Sequence, residues 1–265
     1  MDNAKLIEMI HINPKMIKDI ENPTYEMMSV ALKKDGLLLR YIKNHTKNLE
    51  QIAFCNNKRV IEYINDPSES MMIEAVKDSW SNLKYIKNPT NDVIKAAVKE
   101  KGWAIQYVEN PSKEIQMEAV KKDYDAIKYI KDPEEDVQIE AVKNKYDALR
   151  YIKKPSLKAE VEAIRINEAA VNFIDNLDIE KIKIFLKENI LVIKYIFDKV
   201  CKEDIICILK EVVSDENVSE KYIRDLLNCS VIEVGSEKID IDKINFIYKY
   251  GSKKAKKITV DEKLS

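Results

Sequence analysis

The sequence predicts an all-α protein, a right-handed α-solenoid of about nine two-helix repeats of 22 residues each. Three observations predict this fold. Prolines recur at a fixed spacing, apolar columns keep that spacing beyond the prolines, and each repeat carries the apolar pattern of two short helices. Hydrophobic residues make up 45% of the chain, with only four glycines and seven prolines, so a core can form with few breaks.

The prolines set the register of the repeat. Counting back 22 residues from the first proline of the regular series gives His45 and then Pro23, so His45 fills a proline position. The regular series, with members 22 residues apart, is Pro67, Pro89, Pro111, Pro133 and Pro155.

Three further columns stand in phase with these proline positions. An Ile or Val stands three residues before each position, from Ile20 to Ile196, and an aromatic residue stands four before it, from Tyr41 to Tyr195. An alanine followed by an apolar residue stands eight after it, from Ala31 onward. The register therefore continues beyond the last of the regular prolines.

One repeat illustrates the two predicted helices. Asp132 before Pro133 is typical of an N-cap followed by proline at the first helical position. Apolar residues at i, i+4 and i+5 then form one helical face, and a second short face follows in residues 126–130 and their equivalents. Helices this short are marginal alone in water, so neighbouring repeats must stack.

The chain divides into three predicted segments. Residues 1–20 are expected to form an N-terminal cap helix, residues 21–212 the tandem repeats, and residues 213–265 an atypical C-terminal cap with a basic tail. Residues 230–241 (SVIEVGSEKIDI) alternate enough to permit a short hairpin around Gly235. The lysine-rich residues 249–257 are expected to be mobile.

The repeat of residues 110–131, NPSKEIQMEAVKKDYDAIKYIK, resembles short α-solenoid repeats of the HEAT-like and leucine-rich-repeat-variant type. Its AVKxxxxAIxYI portion also looks like a 22-residue repeat of bacteria and phages that has no assigned activity. The resemblance covers about residues 22–200 and implies a scaffold that binds other macromolecules. Together with a Lys, Ile and Asn bias typical of AT-rich genomes, it suggests a phage or mobile-element inhibitor of a host complex.

The sequence offers little for catalysis, and we expect no enzyme activity. It lacks a Gly-rich phosphate loop and the HExxH and GxSxG motifs, and its two histidines do not form a catalytic pattern. Four cysteines without CxxC spacing predict neither disulfides nor a metal site, and we expect no cofactor. No apolar run long enough for a signal peptide or a membrane span is present, so we expect a cytoplasmic protein that contacts no membrane.

Basic residues form a candidate binding surface, the basic ridge. They stand five and two residues before the proline positions and should line the outer face of the second helix. Such a row is also what an ordinary solvated face looks like, and Glu62 and Glu109 interrupt it. The basic ridge comprises Arg40, Lys43, Lys84, Lys87, Lys128, Lys131, Arg150 and Lys153.

Aromatic residues give a second candidate feature. The tyrosine column could stack bases or contact a protein, but it could equally pack each repeat on the next while the hydroxyl reaches solvent. Trp80 and Trp103 stand at the predicted turn between the two helices, either as exposed anchors for a partner or as loop packing.

These patterns favour a protein partner with an acidic surface. The chain carries 45 Lys and Arg against 46 Asp and Glu, and only five of the basic residues are Arg, whereas a nucleic-acid groove normally shows a basic excess. Nucleic acid bound by the basic ridge, the tyrosines and the basic tail is the alternative.

Overall fold

The structure, a computed structural model, describes residues 2–264 and is helical throughout its regular elements. The chain divides into two compact units, Met1–Ile130 and Lys131–Ser265, called here the N-terminal unit and the C-terminal unit. The predicted all-α repeat fold is confirmed, because within each unit successive helices pack on their neighbours in the chain.

The N-terminal unit consists of six pairs, in which a ten-residue α-helix is followed by a six-residue 3-10 helix. The pairs are α1 (Asn3–Ile12) with η1 (Pro14–Asp19), α2 (Tyr25–Lys34) with η2 (Gly36–Tyr41), α3 (Lys47–Asn56) with η3 (Lys58–Tyr63), α4 (Glu69–Asp78) with η4 (Trp80–Tyr85), α5 (Asn91–Glu100) with η5 (Gly102–Tyr107), and α6 (Lys113–Lys122) with η6 (Tyr124–Tyr129).

The C-terminal unit begins with the same kind of pair and ends in four α-helices of 8 to 13 residues. Its elements are α7 (Glu135–Asn144), η7 (Tyr146–Tyr151), α8 (Leu157–Ile166), η8 (Glu168–Phe173), α9 (Ile179–Glu188), η9 (Ile190–Val192), α10 (Ile193–Ile196), α11 (Lys202–Ser214), α12 (Glu220–Asn228), α13 (Lys243–Tyr250) and α14 (Lys253–Leu264).

Each repeat contributes to two layers. In the N-terminal unit α1, α2 and α3 pack side by side, as do α4, α5 and α6, and the 3-10 helices pack in chain order from η1 on η2 through η5 on η6. The alanine column and the apolar residue after it lie between the layers and are fully buried in every repeat from Ala31 and Leu32 to Ala163 and Ile164. A small side chain at this position lets neighbouring helices approach closely.

The predicted helix start at Asp132 and Pro133 is wrong by two residues. Asp132 has a φ of 51°, in the left-handed region, and the N-cap of α7 is Glu134. In six other repeats the residue after the proline position is a Ser or Thr whose hydroxyl accepts an N–H three residues on, as Ser112 does from Ile115. In those six repeats the hydroxyl satisfies one of the free N–H groups at the helix start, and α7 begins at the equivalent position although Glu134 makes no side-chain cap hydrogen bond.

The second predicted helix of each repeat is present but is a 3-10 helix. Its residues Ala126, Ile127 and Ile130 are buried as the apolar pattern requires. A 3-10 helix repeats every three residues, so side chains at i and i+3 lie above one another, and the six residues of η6 exceed the roughly three to four that such helices usually span.

Two expectations for the C-terminal segment are wrong. The only β pairing of the described residues is a single parallel bridge between Ile232 and Ile239, so residues 230–241 form no hairpin. The basic tail is ordered as the end of α13 and the start of α14, with Ala255 and Ile258 buried. Ser252 joins these helices to the unit, because its N–H donates to the Val213 carbonyl oxygen at 2.8 Å.

Candidate binding surface on the 3-10 helices

The tyrosine column forms a row along the layer of 3-10 helices, and in the N-terminal unit we call it the tyrosine row. Each of its members is the last residue of a 3-10 helix, so the side-by-side packing of η2 to η6 places the rings in sequence. Tyr41 and Tyr129 are 40% and 36% exposed, and the others are half-buried. The tyrosine row comprises Tyr41, Tyr63, Tyr85, Tyr107 and Tyr129.

Cations lie over the rings of this row. The Lys18 ammonium is 4.1 Å from the centroid of Tyr41, and the Arg40 guanidinium approaches the same ring at 4.6 Å. Tyr85 is likewise approached by Arg59 at 5.0 Å and Lys84 at 4.7 Å. All four distances are within the range of cation–π attraction, so the charges and the rings hold one another in place.

The two tryptophans extend the row toward the preceding repeat. Trp80 stacks on Tyr107 with centroids 6.0 Å apart and an interplanar angle of 23°. Trp103 meets Tyr129 edge-on at 6.2 Å, and its indole Nε1 donates to Asp125 Oδ1 at 2.7 Å. Both indoles are half-buried and lie at the start of a 3-10 helix. They therefore pack on the next repeat and stay partly exposed to solvent.

Lys128 and Asp125 complete the end of the row in η6. The Lys128 ammonium is 3.9 Å from the Trp103 ring centroid and 3.0 Å from Asp125 Oδ2. Burial acts to raise the pKa of Asp125, but the hydrogen bonds from Trp103 and Lys128 and the charge of Lys128 outweigh it, so the pKa is lowered. The carboxylate is therefore held ionised between an indole and a lysine.

Contacts between the tyrosines and these cations also shift the pKa values of both kinds of group. A hydrogen bond with Lys18, opposed by burial and helped by the charge of Arg40, lowers the pKa of Tyr41. A hydrogen bond with Tyr63, opposed by burial, raises the pKa of Arg40. The lowered pKa of Tyr41 thus reflects the two cations beside its side chain.

The eight residues of the basic ridge are all exposed. They separate into two groups. Arg40, Lys84 and Lys128 lie over rings of the tyrosine row, and in the C-terminal unit Arg150 lies 4.6 Å from the ring of Phe173, which Tyr146 stacks on at 6.3 Å. The second group, immediately after the ends of the 3-10 helices, comprises Lys43, Lys87, Lys131 and Lys153.

Three residues of this surface are absent from the sequence prediction. Lys18 and Arg59 place cations on rings of the following repeat, and Asp125 fixes Trp103. These contacts join residues 22 to 26 positions apart. A comparison of each ring with the repeats on both sides, rather than with its own repeat alone, would have found them.

The described residues hold no group of three His, Cys, Asp or Glu side chains that could hold a metal ion. His45, which fills a proline position, has its Nδ1 2.9 Å from Glu50 Oε1 and is largely buried with it. None of the helices in the described range is long and apolar enough to cross a membrane.

Comparison with known proteins gave no match for the chain among protein-family models, curated proteins or solved structures.

Proposed function

We propose that this protein is a non-enzymatic scaffold that binds the acidic surface of a protein partner through its 3-10 helix layer. The observation that carries the proposal is the tyrosine row, in which exposed cations lie over the partly exposed rings of Tyr41, Tyr85 and Tyr129. Tyr, Trp and Arg dominate the binding energy of protein interfaces, and rings held by neighbouring groups lose little entropy on binding.

The contacts of the rings favour protein over nucleic acid at this surface. A stacked base needs an open ring face, whereas Tyr41 and Tyr85 each have two cations close to the ring. A carboxylate of a partner can pair with such a cation from the solvent side without displacing it. The acidic counter-charges of the surface, such as Glu62 beside Arg59 at 3.9 Å, would set the register of the partner.

Affinity capture from the native host tests the proposal. The baits are the unchanged full chain and a ridge variant, in which Arg40, Lys43, Lys84 and Lys87 are changed to Gln. A control variant carries Lys33→Gln, Lys34→Gln, Lys77→Gln and Lys99→Gln, four exposed lysines at the ends of α2, α4 and α5 in the other layer. The net charge of the two variants is equal, so nonspecific electrostatic retention changes equally.

We expect an acidic protein that the unchanged chain and the control variant retain after nuclease treatment and that the ridge variant loses. Equal retention by both variants would contradict the proposal. Loss of the partner on nuclease treatment, with log K falling by about 0.9 per neutralised phosphate on duplex DNA as log salt rises, would assign this surface to nucleic acid instead.

Three further predictions concern the relationship, the origin and the location of the protein. A HEAT-like relationship, a phage or mobile-element origin and a cytoplasmic location are predictions from the repeat and its composition. Inhibition of a host complex by occupying one of its surfaces would follow if the captured partner belongs to such a complex.

A further inference from the structure

The C-terminal unit carries a separate basic surface, called here the C-terminal lysine surface. Its residues come from three helices: Lys210 from α11, Lys249 with the tyrosines at 248 and 250 from α13, and the lysines at 253, 254, 256 and 257 from the first turns of α14. All six lysines are exposed. This surface lies outside the tyrosine row on which the proposed function rests.

Three of its lysines converge on two tyrosine rings. The ammonium groups of Lys210 and Lys249 are 4.6 Å and 5.1 Å from the centroid of Tyr250, and Lys256 is 5.9 Å from that of Tyr248. Phe246 packs on Tyr250 with centroids 4.9 Å apart. The aromatic groups therefore fix lysines of different helices beside one another.

Tyr248 is open to solvent. It is 77% exposed, whereas the most exposed residue of the tyrosine row is Tyr41 at 40%. Among the cations of residues 2–264, only Lys256 is close to its ring, at a distance near the limit of cation–π attraction. A flat group such as a nucleobase could stack on this ring without displacing a cation.

The positive charge of this surface has little local compensation. Among the residues that the structure describes, no carboxylate lies within 4.0 Å of the ammonium group of any of the six lysines. The nearest acidic contact is to backbone, where the N–H of Lys253 donates to Glu216 Oε1 at 3.3 Å. The first turn of α14 holds no acidic residue, so its lysines add to the positive end of the helix dipole.

The positive charges of this surface also affect the pKa of Tyr250. The pKa of Tyr250 is lowered, first by a hydrogen bond with Lys249, against the effect of burial, and then by the charges of Lys210 and Lys249.

We propose that the C-terminal lysine surface binds single-stranded nucleic acid, with the lysines contacting phosphates and Tyr248 stacking on a base. Six exposed lysines on α11, α13 and α14, three of them over the rings of Tyr248 and Tyr250, together with the open Tyr248 ring match the combination that sequence-tolerant single-strand binding uses. The absence of Arg from this surface is consistent with contacts to phosphate as a point charge rather than with bidentate reading of base edges.

An anionic membrane fits the surface less well. The exposed apolar residues of α14, Val260 and Leu264, lie beyond the lysines and flank Asp261 and Glu262. Insertion of these side chains would bring two acidic residues against negatively charged headgroups.

Fluorescence anisotropy of a labelled single-stranded oligonucleotide of mixed sequence, titrated with the full chain, tests the inference. The test variants are Tyr248→Ala and the fourfold change of Lys253, Lys254, Lys256 and Lys257 to Gln. The control is the variant of Lys33, Lys34, Lys77 and Lys99 defined above, which removes the same number of charges. Tyr248→Phe keeps the ring and separates stacking from hydrogen bonding by the hydroxyl.

We expect Tyr248→Ala to weaken binding about 5-fold to 150-fold, the equivalent of about 1–3 kcal/mol for one stacked base, and Tyr248→Phe to keep the affinity. The fourfold variant should reduce the slope of log K against log salt by up to about 3, since each phosphate contact to a single strand contributes about 0.7.

Failure to bind the oligonucleotide at low salt would overturn the inference, as would equal loss of affinity in the fourfold and control variants. Binding to phosphatidylserine vesicles without binding to the oligonucleotide would assign the surface to membranes. Retained oligonucleotide binding by the ridge variant separates this site from the proposed protein interface, so either proposal can fail without the other.

Discussion

At the scale of single residues, the alanine column sets how closely the repeats approach. Ala97 in α5 is fully buried between the layers, and α5 packs against both α4 and α6. Its neighbour Ala96 has the same side chain but is only half-buried. The same substitution at the two positions changes helix propensity equally, but only at Ala97 does it place a larger side chain in a filled space.

We predict that Ala97→Leu lowers the free energy of unfolding by about 1–3 kcal/mol, because added methylenes in a filled core force neighbouring helices apart. Ala96→Leu should change it by less than about 0.5 kcal/mol. Urea denaturation followed by circular dichroism measures both. Equal effects of the two substitutions would mean that the column is not packed as described.

The N-cap residue, which directly follows the proline position, differs between repeats. A Ser or Thr after the proline position accepts an N–H at the helix start, whereas Glu134 makes no side-chain cap hydrogen bond in α7. The cap therefore varies between repeats while the helix length of ten residues is kept. Core burial, more than the cap, determines where these short helices form.

At the scale of elements, the 3-10 helices are joined by side chains that reach from one repeat to the next. The best-defined junction joins η5 and η6, where Trp103 donates to Asp125 and Lys128 covers the indole. Asp125 has a side-chain exposure of 18%, so its charge is partly shielded from solvent. The Asp125 carboxylate therefore contributes both to the candidate surface and to the stability of the fold.

We predict that Asp125→Asn destabilises the protein by about 1–2 kcal/mol near pH 7, because it removes the charge from two hydrogen bonds. The folded pKa of Asp125 is lowered, so its contribution is present above the unfolded value, close to the ordinary 3.8, and is lost as pH falls through the folded pKa. The difference between variant and unchanged chain should therefore stay constant well above pH 3.8 and shrink as pH falls below that value.

Urea midpoints at several pH values measure this difference, with Glu100→Gln, at the exposed end of α5, as the control. A destabilisation by Asp125→Asn that does not change with pH would show that the side-chain shape matters and the charge does not. Tryptophan fluorescence reports whether the indole of Trp103 is released.

At the scale of the whole molecule, each repeat contacts the repeats beside it within its unit. Such arrays have stabilities that sum over repeats and the interfaces between neighbours, so a local defect should stay local. The two units are compact separately, Met1–Ile130 and Lys131–Ser265. The position of a defect should therefore be visible in the pattern of amide exchange.

We predict that Ala97→Leu raises hydrogen–deuterium exchange in α4, α5 and α6 and leaves α12 to α14 unchanged, because local opening involves few neighbouring elements. Mass spectrometry of peptides from the exchanged protein measures this. A uniform rise across both units would show that the chain unfolds as one cooperative body.

The sequence by itself predicted the repeat length, the two helices of each repeat and the buried columns, because stacking requires the same small and apolar side chains at the same positions each time. The positions of the ridge cations on an exposed surface also followed from periodicity. The cap after the proline was predictable in principle, since Ser or Thr at that position is a local signal.

The tertiary structure alone decided which cation covers which ring and how the last fifty residues fold. The contacts of Lys18 with Tyr41 and of Trp103 with Asp125 join different repeats, and no periodic pattern within one repeat specifies them. Residues 249–257 are ordered because Ala255 and Ile258 find a buried surface on other helices, which their lysine-rich composition does not reveal. Columns record what every repeat shares, whereas a binding surface depends on side chains that differ from one repeat to the next.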